Sequence, residues 1–161
     1  MPNDSRPAAA ALDAVDRHLV SLLSANSRTP NATLAAAVGV APSTCLARVR
    51  ALRERGVLRG FHAEVDQAAL GRPLQAMVAV RLAAHSRDQV ARFRALAPTL
   101  PGVIGVFHVS GATDYLLHVA VADAGALRDF VMDELISLPE VAHAETSLIF
   151  EHLRGASLPD A

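Results

Sequence analysis

Downstream of Gly71-Arg72-Pro73 the hydrophobic pattern switches between a period of two and a period near 3.6, and the order of the switches leaves few folds open. Residues 75–84 alternate as a strand rich in Val and Leu. Residues 87–97 place Val90, Phe93, Leu96 and Ala97 on one side of a helix that Pro98 and Pro101-Gly102 end. Residues 103–110 and 114–122 read as two strands joined by a short turn containing Gly111. Residues 124–138 form a helix with Leu127, Phe130, Val131, Leu135 and Leu138 apolar, stopped by Pro139, and residues 141–152 are the last strand. The order β-α-β-β-α-β is that of a ferredoxin-like plait, a four-stranded antiparallel sheet with both helices on one face. Leu116, Ala120, Leu148 and Phe150 alternate with Tyr115, Leu117, Val119 and Ile149, so apolar side chains point both ways. Two helices cover one face only, and the other is expected to pack against a second subunit as a homodimer.

Residues 12–58 follow another pattern. Leu12, Val15, Leu19, Leu22 and Leu23 recur at spacings of three and four, with Asp13 and Asp16 at the end where a helix favours negative charge. After Ser-Arg-Thr-Pro-Asn, a short helix over residues 32–38 presents Leu34, Ala35 and Val38 before Gly39 turns the chain. A third helix starts at Pro42, suited to the first helical position, and runs to about Arg55, where Gly56 closes it. Two short helices across a Gly turn behind a longer supporting helix make a helix-turn-helix. On the third helix Cys45, Leu46, Val49 and Leu52 share one arc; Thr44, Ala47, Arg48, Ala51 and Arg55 share the other, with Ser43 and Arg50 alongside.

That outer arc is small, hydroxylic and cationic, as a helix entering the major groove requires: hydroxyls and Arg bond phosphates, and Arg reads guanine with two donors. Arg48, Arg50, Arg53, Arg55 and Arg59 fall within twelve residues, interrupted only by Glu54. A solvated helix face of mixed composition gives the same isolated Arg run; the Gly39 turn and the Pro42 start point to DNA. Residues 57–66 alternate loosely and read as a strand or short ribbon leaving the third helix. The expected division is a tail over 1–11, the DNA-binding domain over 12–58, a linker strand and hinge over 59–73, the plait over 74–153 and a tail over 154–161.

Charge agrees with two modules. Residues 1–72 carry nine Arg and six acids, residues 73–161 six Arg and ten acids, and the whole has a net charge of −1, too little for a polycation that coats nucleic acid indiscriminately. One cysteine, Cys45, allows neither an internal disulfide nor a paired-cysteine metal knot. No signal-peptide core or stretch of membrane-span length is present, and a cytoplasmic location is expected. No nucleophile elbow, His-Glu-x-x-His or phosphate loop appears, and the seven His are scattered. No catalytic residue, metal or cofactor is therefore assigned.

The pieces together resemble a known family. Leu12-Asp13-Ala14-Val15-Asp16-Arg17, the run from Ala41-Pro42-Ser43-Thr44-Cys45 to Leu52, Gly56-Val57-Leu58-Arg59-Gly60-Phe61, and Val109-Ser110-Gly111-Ala112-Thr113-Asp114-Tyr115-Leu116-Leu117 are similar to the Lrp/AsnC, or feast/famine, transcription regulators over residues 12–152. The resemblance implies a sequence-specific DNA-binding regulator that pairs its readers on a pseudo-palindromic operator in double-stranded DNA, dimers and in many members octamers of four dimers, and a small effector, commonly an amino acid. It implies a winged or ribbon-extended helix-turn-helix. The third helix itself supplies the expected DNA contacts: Arg48, Arg50 and the neighbouring Arg53 and Arg55 at phosphates, and Ser43, Thr44 and Arg48 at bases. The resemblance assigns the effector to a cleft at Ser110, Gly111, Ala112, Thr113, Asp114 and Tyr115, with Ile136, Ser147, Leu148 and Ile149 nearby.

The chemistry fits an amino acid: a carboxylate for its ammonium, free N–H groups beside Gly111 for its carboxylate. Taken alone, the same residues make an ordinary hairpin turn. Many members carry an acid directly after the turn Gly where this chain has Ala112, which argues against a strongly basic effector. Two rival readings share the scaffold. Siroheme decarboxylases resemble these regulators throughout, but typically carry a His-Asn-Tyr-type segment in the second strand; here Phe107-His108-Val109-Ser110 keeps one His only. The other rival is a ligand-binding plait with a vestigial DNA module.

Overall fold

The computed structural model describes residues 12–153 and residue 155, in two units, one reaching Glu64 and the other running from Val65 to Leu153. The tails expected at 1–11 and 154–161 lie outside the described residues, Gly155 apart.

In the first unit the Asp13 carboxylate accepts the Asp16 N–H at 2.7 Å and caps α1, Ala14–Ala25. Helix α2, Asn31–Val38, ends where Gly39 takes φ 70°, the left-handed conformation a residue with a Cβ avoids. The Val40 N–H then reaches back to the Ala35 carbonyl at 3.0 Å and closes the C-terminus. Helix α3, Pro42–Glu54, starts with its proline in the first turn and meets α2 at 99°. Asn31 Nδ2 donates to the Pro42 carbonyl at 2.9 Å, tying the two helix starts together. Leu19, Leu23, Leu34, Ala35, Cys45 and Leu52 form the buried core, with Val15, Leu22, Val38 and Val49 at its margin. Cys45 is fully buried there, and burial pushes its thiol pKa up.

The strand or ribbon expected over residues 57–66 is not formed, so no wing is seen among the described residues. The Val57 and Leu58 N–H groups both turn back to the Leu52 carbonyl, at 2.9 and 3.1 Å, and their side chains close the helical core. The segment beyond has no partner strand among the described residues, and alternation without a ladder does not make a strand.

The second unit is the plait: β1 Leu74–Leu82, α4 Arg87–Leu96 with a single 3₁₀ turn behind it, β2 Val103–His108, β3 Tyr115–Val121, α5 Ala124–Asp129 and β4 Val141–Leu148. The sheet order β2-β3-β1-β4 is antiparallel throughout. Ala76, Val78, Val80, Leu82, Tyr115, Leu117 and Val119 face Phe93, Ala97, Leu127, Phe130 and Leu135, so both helices cover the same side. The helix expected over residues 124–138 widens after Asp129 into a π-helical stretch, Phe130–Ile136. The buried Phe130 and Leu135 stand five apart, the spacing of that wider turn. On the other side Met77 and Ala79 are half-buried, and Phe107, paired with Leu116, is 52% exposed. Among the described residues of this unit nothing covers that face.

Candidate nucleic-acid interface and effector site

On α3 the buried Cys45 and Leu52, with the half-buried Val49 between them, define the inward direction, and at 100° per residue the opposite side carries Ser43, Ala47, Arg50 and Glu54, all exposed. Thr44 flanks them on one side and Arg53 on the other. Arg50 is bound to no carboxylate among the described residues, and Arg53 lies over the Phe61 ring at 5.9 Å.

Arg48 and Arg55 stand differently from the expectation that they belong to the outer arc. Arg48 Nη1 donates to Asp13 Oδ2 at 2.7 Å and to Asp16 Oδ1 at 2.9 Å; Arg55 Nη1 reaches Asp16 Oδ2 at 3.2 Å. The two Arg are seven residues apart, on one edge of α3 beside the core stripe, and the single buried carboxylate of Asp16 holds both. Asp13 is held below the usual carboxylate range by the Asp16 N–H and then by Arg48, while the Arg48 guanidinium is raised by the two carboxylates. The helical wheel, which counted Arg48 and Arg55 with the outer arc, placed these Arg outside. The sequence signal was the three-residue spacing of Asp13 and Asp16 against the seven-residue spacing of Arg48 and Arg55. Leu46, expected in the core arc, lies about 100° from the buried stripe and is 54% exposed.

The turn between β2 and β3 is closed by the Val109 N–H on the Asp114 carbonyl at 2.9 Å, with Gly111 at φ 127°. Ser110, Gly111 and Ala112 are exposed at its tip. Asp114 is largely buried and committed. Its N–H donates to the Val80 carbonyl at 3.0 Å, its Oδ2 accepts the Leu82 N–H at 2.8 Å, and its Oδ1 is 2.8 Å from His85 Nε2. The β1–β4 register shifts between Arg81 and Leu82, so the acid secures the end of β1. Burial works to raise the Asp114 carboxyl, but the Leu82 N–H and the His85 ring outweigh it and leave it below the usual range. Tyr115 is buried between Phe93 at 4.9 Å and the His108 ring stacked at 4.6 Å, and burial raises its phenol. Its hydroxyl has no hydrogen-bond partner among the described residues.

The remaining effector candidates are not beside this turn in one chain. Tyr115 pairs with Val80, whereas Ser147 pairs with Met77 and Leu148 with Ala76 on the opposite side of β1. Ser147, Leu148 and Ile149 therefore lie about 13 to 20 Å further along the strand direction than Asp114. Ile136, half-exposed, closes the π-helical stretch. A cleft of about 510 Å³, lined by Arg72, Gly102, Phe130, Asp133 and Glu134 among others, does not include the turn. No group of three His, Cys, Asp or Glu among the described residues is placed to hold a metal ion.

A reader helix set by a tight Gly turn, followed by an antiparallel plait with an acid-anchored turn, defines a DNA-binding regulator with a separate ligand-binding module. The chain belongs to the Lrp/AsnC family: the AsnC-type helix-turn-helix domain matches residues 12–53 and the Lrp/AsnC ligand binding domain residues 75–156. It is 47% identical to the HTH-type transcriptional regulator AldR of Mycolicibacterium smegmatis, over 97% of this chain and 90% of the relative. It is 34% identical to the leucine-responsive regulatory protein of Rhizobium meliloti, over 90% of this chain and 93% of that one. A Neisseria meningitidis transcriptional regulator solved in complex with L-Met superposes with a TM-score of 0.83 at 31% identity, covering 92% of this chain and 97% of its own. This is a transcription regulator with a DNA-binding and an effector-binding domain.

Proposed function

We propose that this regulator reads double-stranded DNA with the outward side of α3, Ser43, Thr44 and Arg50 at the bases and phosphates and Arg53 at the backbone, while Arg48 and Arg55 hold the helix on α1. The single observation behind this is the 99° helix-turn-helix whose second helix leaves Ser43, Ala47 and Arg50 exposed, the Arg50 guanidinium bound to no carboxylate among the described residues. The half-exposed Phe107 on the open sheet face supports a homodimer joined there, and a twofold dimer sets two readers on a pseudo-palindromic operator. The effector is an amino acid bound at the Ser110–Tyr115 turn. Ser147, Leu148 and Ile149 are too far along the same sheet to join that turn in one chain, and they complete the cleft from a neighbouring dimer in an octamer. The L-Met complex of the Neisseria relative supports the amino-acid class.

No single helix among the described residues is long and apolar enough to cross a membrane. The regulator acts on DNA in the cytoplasm and carries out no catalytic step. Sedimentation and mobility-shift titrations with each of the twenty amino acids test this reading. One or more must change the assembly state or the DNA affinity; binding to no DNA fragment, with or without amino acids, overturns it.

A further inference from the structure

The acid at the effector turn has two occupants, and they differ in permanence. The Leu82 N–H on Oδ2 is backbone at the end of a strand that also receives the Asp114 N–H, so it is fixed. The occupant of Oδ1 is the ring of His85, on the short loop between β1 and α4, and this side chain is 69% exposed. Swinging it out buries nothing and breaks one contact.

We propose that His85 is the specificity gate of the effector site: its ring nitrogen holds the Asp114 oxygen that an effector's ammonium takes on binding. This rests on the reading of the turn as the effector site. An ammonium brings three donors and a full positive charge to the carboxylate, whereas the ring offers the same oxygen a single nitrogen, so a free amino acid displaces the ring. An uncharged amide nitrogen has no such advantage, and a ligand with a blocked amine is turned away although its side chain and carboxylate are the same. His85 thus converts an acid needed for the fold into a filter for free α-ammonium groups.

The test is isothermal titration of the full-length protein with each of the twenty amino acids and its N-acetyl form, on the wild type, His85→Ala and His85→Gln. Every amino acid that binds the wild type should bind His85→Ala about three- to tenfold tighter, the exchange value of one exposed hydrogen bond, and the N-acetyl forms, shut out of the wild type by the ring, should gain measurable binding. His85→Gln, which keeps an N–H donor at that reach, should return toward wild-type affinity. Equal or weaker binding to His85→Ala, with wild-type binding intact, overturns the gate and leaves the effector reading standing. Binding of no amino acid to either protein overturns the effector reading, and the gate with it.

Discussion

Arg48 and Arg50 sit two residues apart on one helix and should fail differently. Arg50 points away from the core and is bound to no carboxylate; Arg48 gives one nitrogen to two carboxylates of α1. If Arg50 neutralises one phosphate per reader, Arg50→Ala lowers the slope of log K against log salt by about 0.9 per reader, or about 1.8 for a dimer. Between 50 and 200 mM salt, a slope change of that size amounts to about a twelvefold difference in how far affinity falls. Arg50→Lys, which keeps the charge, should keep the slope. Arg48→Ala should weaken binding by loosening α3 on α1, at an unchanged slope, because its charge is already spent on Asp13 and Asp16. The assay is fluorescence anisotropy on one operator duplex across a salt series. A slope change for Arg48→Ala with none for Arg50→Ala would refute the assignment of the two roles.

Other consequences concern stability and the effector. Gly39 has open space where a Cβ would sit but a φ of 70°, so Gly39→Ala should cost about 1–2 kcal/mol through backbone strain alone, read as a lower urea midpoint at unchanged m. Leu52→Ala, at a fully buried position, should cost about 2–5 kcal/mol in the same assay. His118 Nε2 donates to Gln75 Oε1 at 2.9 Å, and its pKa is lowered from 6.5 by burial and then by His152. The unfolded chain therefore binds the proton first, and stability should fall as pH drops below about 6.5 and level off below the folded value; His118→Gln should flatten that limb of the melting curve. Asp114 is shifted the other way relative to its charge: its ionised form is favoured in the fold, so its contribution is present above the usual carboxylate range and lost only as pH falls below 3.8 toward the lower folded value. Asp114→Ala should both lower the melting temperature and abolish the response to amino acids, and a variant that still responds normally would remove Asp114 from the effector site.

The fold was legible where period and punctuation agreed. Val and Leu alternation bounded by Gly71-Arg72-Pro73 and Pro101-Gly102 marks strands that pair in the order observed, and Gly39 and Pro42 bracket the turn before α3. The π-helical stretch was not legible, because Leu127, Phe130, Val131 and Leu135 suit an ordinary helix as well as a widened one. Nor was the loss of the ribbon at 57–66, since alternation does not say whether a partner strand exists. At the candidate interface the residue types were readable but their directions were not. Arg48 and Arg55 look outward until Asp16, thirty-two residues away from Arg48, is folded against them. Asp114 was legible as an acid at a turn; its bond to the Leu82 N–H follows from the end of the β1 ladder, and its bond to His85 follows from a loop that no sequence spacing connects to it.

The central claim, that this is an effector-responsive reader of paired half-sites, is tested most directly by DNase I footprinting of the full-length protein on genomic fragments, with and without the twenty amino acids. The account predicts protected segments with half-sites about 10–10.5 base pairs apart, or a multiple of that spacing, whose extent or affinity changes with at least one amino acid and which are lost in Arg50→Ala. Protection that ignores every amino acid, or that survives Arg50→Ala unchanged at matched salt, would contradict it.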